Sequence, residues 1–241
     1  MTNIDRMLPI AIIAGGLGTR LGSLSATLPK ALVPVAGRPF IDRQIALLCE
    51  SGITDVVVCA GHLGEMIEQH VGDGSRFGCR IAYSYDGATP IGTAGALAKA
   101  LPLLGERFFM TYGDSLLHCD YDAIQTAFLE SGKPALMTVF RNDGALVPSN
   151  VRYRNGRIEA YEKQRRSADM HYVDYGLSLF ERAVFEGVPI DRPTDLAAVL
   201  QDLVSRSALA GYEVQTRFYE VGTPEGVAET EAFLRSQDAA L

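Results

Sequence analysis

The sequence is poor in the residues that carry several common chemistries. Its four cysteines, Cys49, Cys59, Cys79 and Cys119, form no CxxC pair, which argues against a zinc ribbon or a dithiol redox centre and leaves buried reduced thiols as the expectation. Its four histidines, His62, His70, His118 and His171, fall at no metal-ligand or triad spacing, and no GxSxG elbow occurs, so hydrolase chemistry is unsupported. Positive charge is in deficit. The 22 lysines and arginines stand against 29 acidic residues, a formal charge of −7, so nucleic acid is not an expected partner and any phosphate site must gather its cations locally. No apolar run reaches the length of a membrane span, and Met1 to Leu8 is charged without an apolar core; neither membrane nor leader is indicated, and a cytoplasmic location is expected. No repeat or low-complexity stretch divides the 241 residues, which read as one domain with halves meeting near residue 115.

What stands out is glycine after the first strand. Ile10-Ala11-Ile12-Ile13-Ala14 is an apolar run of the kind buried on both faces of a parallel sheet. It breaks into Gly15-Gly16-Leu17-Gly18-Thr19-Arg20, where three glycines in four positions let the backbone turn sharply and bring its N–H groups up to anionic oxygens. A phosphate cradle is the expectation, clamped by Arg20 as a planar fork and Lys30 as a mobile point charge. Two glycine motifs do not fit. No Gly-Lys pair follows at P-loop spacing, and in the dinucleotide fingerprint counted from Gly16 and Gly18 the third glycine is replaced by Leu21, with Gly22 one residue late. A nucleotide-dependent oxidoreductase is thereby disfavoured.

Strand and helix alternate through the rest. Beyond the proline-punctuated passage Ala31 to Pro39, a helical period in Ile41, Ile45, Leu47 and Leu48 runs to about Glu50 and ends at Ser51-Gly52. Asp55 to Ala60 reads as a second buried strand, Glu65 to Val71 as a helix, Cys79 to Tyr85 as a strand, and Asp86 to Lys99 as a loop opening a helix at Gly92-Thr93. The strand Arg107 to Tyr112 ends in Gly113-Asp114, a carboxylate at the carboxyl end of a central strand, where ligands bind in open α/β sheets. Asp120 and Asp122 start a helix that ends at Ser131-Gly132. After the strand Ala135 to Phe140, a hairpin of Ser149 to Arg154 and Gly156 to Lys163 turns at Asn155-Gly156 and delivers Glu162-Lys163 to its far end. His171 to Phe180 and Glu213 to Val221 are further strands, with helices at Asp195 to Ser205 and Pro224 to Leu234. The alternation predicts an α/β fold with a mainly parallel sheet and right-handed crossovers. Several of these features also have ordinary explanations: small residues pack helices against sheets, an aspartate after a strand caps a turn, and Glu-Lys on a strand is solvated surface.

GGxGTRL at Gly15 to Leu21, followed by Pro29-Lys30, resembles the signature of the sugar-1-phosphate nucleotidyltransferases, and the resemblance covers essentially the whole chain. It implies a Rossmann-like α/β domain, with a mixed, mainly parallel sheet flanked by helices and no appended β-helix. The nucleotide half would run to about residue 115 and the sugar half from about 116. It implies that Ala14, Gly15, Gly16, Gly18, Thr19, Gly92, Thr93 and Gly113 bind the nucleotide and that Arg20, Lys30 and Asp114 are catalytic. Asn150, Glu162, Lys163, Asp174 and Gly176 are assigned to the sugar phosphate, and Asp114 with Glu220 to Mg²⁺. Three residues depart from the family pattern: Tyr112 precedes the Gly-Asp pair, Gln164 replaces a proline, and Glu220 stands where an aspartate is usual.

The implied reaction is attack of a sugar 1-phosphate on the α-phosphorus of a nucleoside triphosphate, giving a nucleotide sugar and pyrophosphate. Pyrimidine-using members place a glutamine ahead of the GTA-type loop, and Asp86 to Pro90 has none, which points to GTP. GLGTRL, LPKALVPVAGRPF and GEMIE resemble most the members that make GDP-heptose for bacterial surface glycans from D-glycero-α-D-manno-heptose 1-phosphate. The alternatives are a uridylyltransferase acting on an amino sugar such as N-acetylmuramate 1-phosphate, a mannose-1-phosphate guanylyltransferase, and a nucleotide-sugar-binding regulatory module. Homo-oligomerisation is left open by the sequence.

Overall fold

The structure is a computed structural model and describes residues 6–16, 28–163 and 166–238. In chain order the strands are β1 (Ile10–Ala14), β2 (Pro34–Val35), β3 (Arg38–Pro39), β4 (Asp55–Ala60), β5 (Arg80–Tyr85), β6 (Arg107–Tyr112), β7 (Ser115–Leu116), β8 (Ala135–Arg141), β9 (Val151–Arg154), β10 (Arg157–Tyr161), β11 (Tyr172–Glu181), β12 (Leu209–Val214) and β13 (Tyr219–Glu220). The helices are α1 (Phe40–Glu50), α2 (Gly64–Val71), α3 (Gly92–Ala100), α4 (Tyr121–Ser131), α5 (Leu196–Ser205) and α6 (Pro224–Asp238). None of the helices among the described residues is long and apolar enough to cross a membrane.

Nine strands form one Rossmann-like mixed sheet in the order β5-β4-β1-β6-β11-β8-β12-β10-β9. The first four are mutually parallel, as continuous apolar runs joined through helices require. Alternation along them supplies both faces. Ile10, Ile12, Val56 and Val58 pack with Ile41, Ile45 and Leu48 of α1 and Ile67 of α2, whereas Ala11, Val57 and Cys59 pack with Ala94 and Leu97 of α3. Burying such side chains contributes about 1.5–3 kcal/mol each, which fixes the sheet between its helical layers. Local signals set the ends: Asp120 caps α4 by accepting from the Ala123 amide at 2.9 Å, and Gly132 closes it at φ +59°.

Beyond β6 the chain reverses. β11 pairs antiparallel with both β6 and β8, and β12 runs parallel to β8. The hairpin β9–β10 turns at Asn155 and Gly156, both at positive φ (+49° and +76°), as a two-residue turn between twisted strands demands. β9 reaches round to pair with β11 through Val151 and Tyr172, so β11, β8, β12, β10 and β9 close into a ring. The strand expected over Glu213 to Val221 is a correction. β12 starts at Leu209 and leaves the sheet after Val214, and Tyr219–Glu220 pairs instead with Ser115–Leu116 in a separate ribbon. Pairing to β7 takes precedence over continuation of the apolar pattern, and it carries Glu220 to Asp114.

Candidate functional site

The crevice lies at the carboxyl ends of β1, β4 and β6 and is built there from backbone. A Cβ on Gly61 would lie 2.7 Å from the carbonyl oxygen and 2.9 Å from the Cα of Gly15, so these loops touch only because both residues lack side chains. Gly113 donates its amide to Ile13 at 2.9 Å, and a Cβ there would sit 3.1 Å from the Ala14 Cβ. Gly16 is exposed, with open space where its Cβ would be. Gly18, Thr19 and Arg20 lie outside the described residues, as does Gln164.

Three of the side chains expected to be functional converge beside this cradle. A Cβ on Gly222 would lie 3.2 Å from Lys30 Nζ, 3.8 Å from Asp114 Oδ2 and 3.9 Å from Glu220 Oε1. Lys30, on the turn Lys30–Leu32, forms an ion pair with Asp114, both largely buried. The Val221 amide donates to the Asp114 carbonyl at 2.9 Å, fixing β13 alongside β7. Buried Gln44 of α1 donates to the carbonyls of Tyr112 (2.8 Å) and Ser115 (2.7 Å) and so pins the backbone on both sides of Gly113-Asp114. The carboxylates of Asp114 and Glu220 are hard oxygen donors, the ligand type that Mg²⁺ takes, and so could hold that ion.

The sugar-side residues are tied by side chains. Asn150 Oδ1 accepts from the Asp174 amide at 3.1 Å, and Asp174 Oδ1 accepts from the Gly176 amide at 3.0 Å. Burial pushes the Asp174 carboxyl pKa up, against the Gly176 amide, the Lys163 charge and the Tyr161 hydroxyl. Glu162 Oε2 accepts from Gln201 at 3.2 Å. Lys163 Nζ donates to both carboxylate oxygens of Asp195, at 3.1 and 3.2 Å. Gly176, at φ +94°, would place a Cβ 3.6 Å from Ser115 Oγ and 3.7 Å from the Tyr112 ring, so β11 lies directly against the end of β6 that leads into Asp114.

Gly92 and Thr93 occupy the seam between these two sides. Gly92, at φ +77°, would place a Cβ 2.4 Å from the Thr194 carbonyl oxygen, and Thr93 Oγ1 accepts from the Leu196 amide at 2.8 Å while donating to Asp195 at 3.3 Å. Burial works against ionisation of Asp195, but the Ala197 amide, Lys163 and Thr93 outweigh it and hold the carboxyl below its usual range. Gly61, Gln44 and Asp195 were not singled out as functional from sequence. A glycine ending a parallel strand and a glutamine on the apolar face of a helix were available signals for the first two; the Lys163 partnership of Asp195 has no local signature.

A model of the nucleotidyl transferase family matches residues 10–237. The chain is 32% identical over 234 residues to N-acetylmuramate alpha-1-phosphate uridylyltransferase of Neisseria meningitidis, covering 92% of this chain and 96% of that one. It is 27% identical to mannose-1-phosphate guanyltransferase beta-B of Xenopus laevis, with 89% of this chain aligned to 61% of that protein. The crystal structure of a putative glucose-1-phosphate thymidylyltransferase from Bacillus anthracis superposes with a TM-score of 0.82 at 23% identity, covering 95% of each chain.

Proposed function

This chain belongs to the nucleotidyl transferase family, with sugar-1-phosphate nucleotidyltransferases among its homologues, and we propose that it transfers a nucleotidyl group from GTP to a heptose or mannose-like 1-phosphate in an Mg²⁺-dependent reaction. The observation that carries this reading is the convergence of Lys30, Asp114 and Glu220 on Gly222, next to the Gly15–Gly61–Gly113 cradle. It supports a site that takes a polyanion and a divalent cation together.

A phosphate oxygen of the sugar 1-phosphate attacks the α-phosphorus of the nucleotide, a new P–O bond forms, and the α–β bond breaks with its electron pair leaving on pyrophosphate. No general base is needed, because the attacking oxygen is already ionised at neutral pH. Catalysis then rests on holding two anions in line and neutralising their repulsion. Lys30 holds nucleotide phosphate, Arg20 the leaving pyrophosphate, and Lys163 the sugar phosphate, exchanging Asp195 for it. Asn150, Glu162 and Asp174 read sugar hydroxyls. Asp114 and Glu220 are the residues to hold Mg²⁺, which when bound supplies charge neutralisation at the reacting phosphate.

A second reading, UTP with an N-acetylated amino-sugar 1-phosphate, is favoured by the near-full-length match to the Neisseria uridylyltransferase. A matrix of four nucleoside triphosphates against sugar 1-phosphates, followed by pyrophosphate release with and without Mg²⁺, tests both. The proposal expects the highest kcat/KM for GTP with heptose or mannose 1-phosphate; a higher value for UTP with N-acetylated acceptors overturns it in favour of the second reading. Absence of Mg²⁺-dependent release with every pair overturns the enzyme and leaves a binding module.

A further inference from the structure

Asp86 stands one residue beyond β5, at the carboxyl end of the parallel strands, and its amide continues the ladder by donating to Ala60 at 2.9 Å. Its carboxylate is turned towards the cradle: a Cβ on Gly15 would lie 3.2 Å from Asp86 Oδ2. Gly15 offers no side chain to this oxygen, and the same Cβ position would lie 3.3 Å from the Gly61 amide nitrogen, so Asp86, Gly15 and Gly61 meet at one point of the cradle. The Ile91 amide bonds the carboxylate, and Lys99 donates to the Asp86 backbone carbonyl at 3.0 Å. Burial raises the Asp86 pKa, with Lys99 and the Ile91 amide opposing it, so the ionised form lacks full compensation from the protein. Residues 87–90, which follow, are exposed and lead to Gly92 at the crevice seam.

A carboxylate is an acceptor only, and two oxygens side by side match two adjacent N–H donors. Among the four ribonucleotide bases, guanine alone presents such a pair, N1–H and the 2-amino group, on its Watson–Crick edge. Uracil offers N3–H between two carbonyl oxygens that a carboxylate repels, and adenine and cytosine each present one donor group beside a ring-nitrogen acceptor.

We infer that Asp86 is the base-selecting residue of the nucleotide site, its carboxylate accepting from N1–H and the 2-amino group of guanine. The inference rests on the GTP reading above and goes beyond it by naming the residue and the atoms read. Phosphate contacts in the cradle are common to all four nucleotides and select none of them; the Asp86 contact is the one that differs among bases.

Inosine triphosphate, which lacks only the 2-amino group, separates the two claims. Calorimetric titration of the wild-type protein with GTP, ITP and UTP in the presence of Mg²⁺ is expected to give GTP binding about ten- to hundredfold tighter than ITP, the worth of one hydrogen bond to a charged acceptor. Asp86→Asn, isosteric and able to accept from only one of the donors, is expected to bring GTP affinity down towards that of ITP while ITP changes less. Melting curves check that the variant is folded, and the wild-type GTP-to-ITP ratio needs no variant. Equal wild-type binding of GTP and ITP, or an unchanged ratio in folded Asp86→Asn, overturns the role of Asp86 and leaves the GTP reading standing if GTP still exceeds UTP. Tighter wild-type binding of UTP than of GTP overturns both.

Discussion

The two sides of the crevice are held by different means. On the side expected to take phosphate the walls are main chain: Gly15, Gly61 and Gly113 bring strand ends within van der Waals contact, and the Gly113 amide is tied to the Ile13 carbonyl. On the side expected to take the sugar the walls are side chains held through their polar ends, Asn150 by the Asp174 backbone, Glu162 by Gln201 and Lys163 by Asp195. A triphosphate is the invariant part of the reaction and suits a rigid backbone cradle; the acceptor is the part that differs among relatives and suits replaceable side chains. Substitutions at the close backbone contacts of the first side should therefore cost folding and binding together. On the second they should cost recognition alone.

The largest effect is expected where the two sides meet. Asp114→Asn keeps the shape of the side chain, removes its charge and leaves Lys30 without its ionic partner. Turnover should fall by about three orders of magnitude or more, since charge stabilisation at a metal site contributes several kcal/mol. Pyrophosphate release by a variant with a normal melting curve measures this, and near-wild-type Mg²⁺-dependent turnover would remove Asp114 from the metal site.

Next comes the backbone side. Gly61→Ala places a methyl group 2.7 Å from the Gly15 carbonyl oxygen and should cost about 1–3 kcal/mol of stability together with nucleotide affinity. Gly16→Ala, where the space is open, is the matched control and should change stability by less than about 0.5 kcal/mol. Denaturant midpoints and nucleotide titrations on the pair decide it; equal costs at both positions would show that the close approach of Gly61 to Gly15 is not what holds this side together.

Lys163→Ala sharpens it from the other direction. The Lys163–Asp195 pair is about half exposed (45% and 58%), so its loss should leave stability within about 0.5 kcal/mol. The KM for sugar 1-phosphate should rise about tenfold while nucleotide affinity stays unchanged. A variant that loses nucleotide binding instead would reassign the lysine to the other substrate.

The smallest effect concerns pH. Because burial raises the Asp174 carboxyl pKa, the folded protein holds that proton more tightly than the unfolded chain, so stability declines as pH rises from about 3.9, the unfolded value, through the folded one. Asp174→Asn can still accept from the Gly176 amide and should be more stable than wild type at neutral pH, with the difference vanishing at the acid end of that window. Denaturant midpoints across the acid range follow it; a difference that grows on acidification contradicts the assigned direction.

The same contrast governs how much of the molecule was legible in the sequence. Asp55–Ala60 and Arg107–Tyr112 are read at their observed limits, because a strand buried on both faces is an uninterrupted apolar run ended by punctuation. Asp120 and the Asn155-Gly156 turn are equally local. Glu213 to Val221 was read as one strand because Phe218 to Val221 continues the apolar content; the break after Val214 is imposed by pairing with β7, a partner about a hundred residues away in sequence. Lys163 and Thr93 were expected as site residues by resemblance, but their common tie to Asp195 was not, since it joins three distant segments.

The closed ring of β11, β8, β12, β10 and β9 also bears on how this protein can associate. Strand addition by another chain needs a strand with one side unpaired, and closure through Val151 and Tyr172 ties the start of β9 to β11 and so restricts that edge of the main sheet. β5 is left, among the described residues, as the main-sheet strand with a whole side free. Arg80 stands exposed at its start, paired with Asp55 of the neighbouring strand, a charge where a second copy of the strand would have to lie. Sheet growth is restricted by closure at one end and discouraged by charge at the other.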